Sequence, residues 1–151
     1  MVVDWISIYN ACLLKGINIH PKDIIWFCEM NNELLFNGGL GIMPRTVIDF
    51  FSSISVNVKL EGMISQSNFV FGGLNIDLNQ IAKDYPAIIL CYWHGKGAHY
   101  VAASWDNITS LYLVYNHYSD KTSIYYYSSL TDFWADGYRV IGCYAIGDKI
   151  T

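Results

Sequence analysis

The chain has 151 residues, 53% of them apolar, 16% aromatic and only 15% charged, with a formal net charge of −4 at neutral pH. That length is one domain's worth, residues 1–151, and buries roughly two-thirds of its unfolded surface without disulfide or metal. With no basic block the chain lacks a nucleic-acid footprint, and its apolar runs fall well short of a membrane span, so a cytoplasmic protein with no membrane span is expected.

The elements follow in chain order. Asp4 is a good N-cap, Trp5, Ile8, Tyr9 and Cys12 recur at helical spacing, and Gly16 follows Lys15 as a stop, which predicts a helix over Trp5 to Lys15. Pro21 opens a second helix whose buried side is Ile24, Ile25, Phe27 and Cys28, and which fades into Asn31-Asn32. LLFNGGLGIMP carries three glycines within four residues and reads as irregular backbone. A third helix begins near Pro44 with Val47, Ile48, Phe51 and Ile54 on one stripe. Val56, Val58 and Leu60 alternate with Asn57 and Lys59 as a half-buried strand, and Glu61 to Gly73 reads as loop with one short apolar piece, FVF. Asp77 caps a short helix carrying Leu78, Ile81 and Ala82, which Pro86 closes.

The run AIILCYW from Ala87 is too short to cross a membrane and too rich in Ile, Tyr and Trp for a surface helix, so it reads as a buried strand. After the polar HGKGAH comes the strand YVAAS, a turn at Asp106-Asn107, and the strand LYLVY ending at Asn116. HYSDK is a turn and SIYYY a strand; Ser129 with Asp132 three residues on forms a capping box for a short helix ending in Phe133-Trp134; YRVIGCYAI is the last strand. Helices first, then strands with short helices between them, predict an α+β domain; a parallel βαβ fold needs longer helices between the later strands.

His99 stands at the entry of one strand and Asn116 at the exit of the next, so antiparallel pairing brings them to one end of the sheet, and an imidazole held by an amide is half of a nucleophilic triad. The four cysteines, Cys12, Cys28, Cys91 and Cys143, have no zinc-knuckle or redox-pair spacing, and Cys28, Cys91 and Cys143 read as core. His94, His99 and His117 lack a cysteine or carboxylate at ligand spacing, so no metal and no cofactor is expected.

The succession LLKGINIHPKDI, GGLGIMPRTVIDFF, YPAIILCYWHGKGAHYVAASWDN, LYLVYN and SSLTDFW before a closing strand resembles the papain-like bacteriocin-processing peptidases. It is similar, more distantly, to the amino-terminal domain of butirosin H, an acyltransferase on the same fold. AHYVAAS with the following YN is the most specific piece. The resemblance implies amino-terminal helices packed on a carboxyl-terminal antiparallel sheet, and a cysteine at the amino end of the first helix facing a histidine and an Asp or Asn. His99 matches the histidine and Asn116 the third member, where the family more often has Asp followed by Pro.

The nucleophile departs from that pattern. A catalytic thiol wants a helix amino terminus, where exposed N–H groups and the dipole lower its pKa. Cys12, the candidate nucleophile, lies near the carboxyl end on the apolar stripe, where the dipole raises its pKa; its other reading is a core cysteine. The family's helix length points instead to Met1–Asp4, which reads MVVD. Either the nucleophile is lost and the old groove binds a peptide, or the cysteine lies upstream of Met1. An active form would cleave a peptide or transfer an acyl group from a carrier substrate; the other class is a non-catalytic peptide-binding module. The unusually apolar composition also points to a hydrophobic surface for a protein partner.

Overall fold

The computed structural model describes residues 5–31, 44–63, 74, 76–94, 97–115, 124–135 and 139–150. Among them are five helices, α1 (Trp5–Lys15), α2 (Pro21–Met30), α3 (Pro44–Ser53), α4 (Leu78–Asp84) and α5 (Leu130–Ala135), and six strands, β1 (Val58–Met63), β2 (Ala87–His94), β3 (Gly97–Asp106), β4 (Leu111–Tyr115), β5 (Ile124–Tyr127) and β6 (Arg139–Ile146). The strands form one sheet in the order β1-β6-β2-β3-β4-β5, with every neighbouring pair antiparallel. The α+β class expected from the order of elements is what the fold has.

Local chemistry sets the boundaries. α1 ends because Gly16 takes a positive φ of 81°, which lets the Gly16 N–H reach the Leu13 carbonyl (3.0 Å) and the Ile17 N–H reach the Cys12 carbonyl (2.8 Å). This pair of bonds uses up carbonyls that the helix end would otherwise leave bare. α2 starts at Pro21, and its cap is His20, whose Nδ1 accepts from the Lys22 N–H at 3.0 Å, a cap the sequence reading passed over. Asp77 caps α4 as expected, accepting from the Gln80 N–H at 3.1 Å. The caps and loops placed at Asp4, at the glycines after Leu35 and at FVF lie outside the described residues.

β1 corrects the reading around Val56. The strand runs on to Met63, and its pairing with β6 shifts between Leu60 and Gly62. The shift lies after Leu60, which pairs with Tyr144 and so keeps the α1-side face of Val58, yet Leu60 is 44% exposed there rather than buried. β2 and β3 also extend further than the apolar letters suggest, through His94 and from Gly97, so His99 is the third residue of its strand and pairs with Tyr92.

Two cores lie on the two faces of the sheet. On one, α1, α2 and α3 pack Ile8, Ala11, Cys12, Ile24, Cys28, Val47 and Phe51 against Ala87, Ile89, Cys91, Tyr100, Ala102, Tyr144 and Ile146. On the other, α4 and α5 bring Ala82, Leu130 and Phe133 onto Ile88, Leu90, Tyr92, Val101, Ala103, Val114 and Cys143. Asn79 ties the second pair of helices together: its side chain donates to Ser129 Oγ (2.8 Å) and accepts from the Leu130 N–H (2.8 Å), capping α5 from α4. The second cover is why β2 is apolar from Ala87 to Trp93, since a strand covered on both sides has no polar face.

Candidate functional site

His99 is positioned by β3. Opposite residues of an antiparallel pair share a face, so His99 stands with Tyr92 on the side of α4 and α5. The two rings lie 5.8 Å apart at 38°, and Tyr92 meets Phe133 of α5 edge-on at 5.3 Å and 87°. Tyr127 closes on the far side of Phe133 at 5.9 Å and 83°. His99 therefore stands, half-buried, beside a row of aromatic rings on the α5 side. Edge-to-face packing of this kind holds ring orientations through the quadrupole and the area buried.

Cys12 is on the other side of the sheet. It sits in the last turn of α1, fully buried, in the core that includes Tyr100 and Ala102, the β3 residues that alternate with His99 and Val101. Burial pushes its thiol up to about 11, so the thiolate needed for attack is disfavoured at neutral pH. The structure does not bring Cys12 and His99 together: the sheet lies between them.

The remaining thiols are no better placed. Cys28 and Cys91 belong to the α1 side and are buried. Cys143 shares the α5 side with His99 but is fully enclosed beside Leu90, and burial, with a smaller contribution from the Glu61 carboxylate, pushes it up to about 12. Asn116, the expected orienting amide, lies outside the described residues; the last described residue of β4, Tyr115, pairs with Ala102. No group of three or more His, Cys, Asp or Glu side chains able to hold a metal occurs among the described residues. Among them, too, no helix is long and apolar enough to cross a membrane.

A different surface emerges from the register. On the α1 side, α1 lies over β2 and β3 and α3 lies against β1. Further along that face Ala102 pairs with Tyr115 and Tyr115 with Ile124, while Ser104 pairs with Leu113 and Leu113 with Tyr126. Ile124 is 42% exposed and Tyr126 55% exposed. The opposite face of the same two strands is closed, with Tyr112 and Val114 buried and Tyr127 against Phe133. Among the described residues, Ile124 and Tyr126 thus form an exposed apolar pair on the α1 face of β5, beside the half-buried Leu113 and Tyr115. The string SIYYY concealed it, because tyrosines at adjacent positions show no inward and outward alternation.

No family model and no curated protein matches the chain.

Proposed function

We propose that the chain is a peptide-binding module on a papain-like frame that works without thiol catalysis. The carrying observation is that all four cysteines are buried and that Cys12 is separated from His99 by the sheet. A cysteine peptidase and a thioester acyltransferase both need a thiolate within hydrogen-bond reach of an imidazole, so the same placement counts against both. The frame is supported by three leading helices packed on one face of an antiparallel sheet. Binding is supported by the exposed apolar side chains Ile124 and Tyr126 on the α1 face of β5. In this reading Cys12 is a core side chain, and His99 belongs to the aromatic row under α5.

A thiol-directed probe such as iodoacetamide tests the reading. Native protein at neutral pH is expected to leave all four cysteines unlabelled over a time in which the urea-unfolded chain reacts fully. Selective labelling of one cysteine, slowed by His99→Ala, would establish a thiol–imidazole pair and replace the binding module with an enzyme.

A further inference from the structure

At one end of the sheet Val58 of β1, Ile146 of β6 and Ala87 of β2 stand side by side, and the chain leaves β6 there as residues 147–150. Gly147 is buried and takes a positive φ of 88°, which turns the backbone out of the strand. A side chain here would meet the Lys15 stem at the end of α1, with Cε 2.7 Å from the added carbon. The turned segment then bonds to both sides of its exit. The Gly147 N–H donates to the Asn57 carbonyl at 2.7 Å, and the Asn57 side-chain amide donates to Asp148 Oδ1 at 2.7 Å. Three residues beyond Gly147, the Ile150 N–H donates to the Asp84 carbonyl at 2.6 Å, and Lys149 Nζ lies 3.8 Å from the Asp84 carboxylate.

The two partners belong to different layers. Asn57 sits between Val56 and Val58, which pack against the α1-side core, whereas Asp84 ends α4 on the α5 side. α4 has only seven residues, and Tyr85 after it is extended (φ −127°) instead of left-handed, so no glycine-type cap closes its last carbonyls. The Ile150 N–H supplies a bond at that end from outside the helix. We propose that residues 147–150 are a latch joining the two layers, whose release frees the end of α4 and the entry of β1 in one step. This conformational device is separate from the peptide-binding reading.

Backbone bonds hold the latch. The Lys149–Asp84 pair is long and Lys149 is mostly exposed, so it contributes little in water. The Asn57–Asp148 bond is exposed to solvent as well. The two short backbone bonds remain, and both depend on the turn at Gly147. Proline there removes the donor and sets φ near about −65°, which carries the following residues away from α4. The alternative is a pair of independent contacts, in which the segment leaves α4 while it stays on β1.

Native-state hydrogen exchange of the unaltered chain in low urea separates the two. The amides of Gly147 and Ile150, of Asp84 in α4 and of Lys59 in β1 are expected to share one opening free energy and one urea slope. Opening of Ile150 while Asp84 and Lys59 stay protected makes the segment a free flap and overturns the latch. Gly147→Pro should speed exchange about tenfold or more at both Asp84 and Lys59 and leave α5 unchanged, while Lys149→Ala should alter neither. Faster exchange at only one of the two ends overturns the coupling. An effect of Lys149→Ala as large as that of Gly147→Pro overturns the backbone latch in favour of the ion pair. Circular dichroism checks folding, and if Gly147→Pro does not fold, the exchange pattern of the unaltered chain decides alone.

Discussion

The two faces of the sheet are built from the same strands and carry different parts of the expected chemistry. The α1 side holds Cys12, Cys28 and Cys91; the α5 side holds His99, Tyr92 and Cys143. A single step along β3, from His99 to Tyr100, crosses from one to the other. What the difference teaches is that meeting at one end of a sheet is not enough for two groups to react: they must also share a face, and strand parity decides that.

The sharpest way to test the division is a pair of adjacent residues. Ile88 and Ile89 are both fully buried, one on each face. Each truncation to alanine should cost about 2–5 kcal/mol in urea unfolding. Hydrogen exchange separates them: Ile89→Ala should speed exchange in α1, and Ile88→Ala in α4 and α5. Equal loosening of all the helices by both variants would break the comparison.

A smaller effect is expected from overfilling one side. A methyl group built on Gly142 would meet Met63 Cε at 2.5 Å and Cys91 Cβ at 3.3 Å. Met63 ends in a flexible thioether and can move, whereas Cys91 is fixed in β2, so Gly142→Ala should destabilise by about 1–3 kcal/mol. Met63→Ala in the same chain should recover part of the loss. On the other side, Asn79→Ala removes the bridge from α4 to Ser129 and to the Leu130 N–H. About 1–2 kcal/mol is expected, with exchange rising first in α5.

Much of the fold was legible because local chemistry wrote it. The boundaries of α1 and α4 follow from Gly16 and Asp77, and β2 announces itself as an unbroken apolar run. The same run is why the site was not legible. A strand covered on both faces has no polar positions to mark inside from outside, so nothing near AIILCYW or YVAAS told which side His99 would take. Alternation gave Leu60 the face it shares with Val58, but how far that face is covered at Leu60, which is 44% exposed, is not written in the alternation. The carboxyl-terminal placement of Cys12 in α1 was read correctly from Gly16, and the consequence drawn for its thiol has the same sign as the burial found.

The most general effect is alkaline. Cys12 and Cys143 hold their protons more tightly in the folded chain, at about 11 and about 12 against an ordinary value of 9.0. A raised folded pKa gives stability that is whole below pH 9 and is lost as pH rises toward the folded values, because the unfolded thiols ionise first. Urea midpoints should therefore fall from pH 9 upward, and Cys12→Ala should make that fall shallower. A midpoint independent of pH across this range would mean that the thiols are not enclosed.

The most direct test of the account is a nuclear Overhauser spectrum of the isotope-labelled protein. The His99 ring is expected to show cross-peaks to Tyr92, and the Cys12 β-protons to show them to core side chains of the α1 side, with none between His99 and Cys12. A cross-peak joining the His99 imidazole to the Cys12 methylene would put both groups on one face and contradict the account.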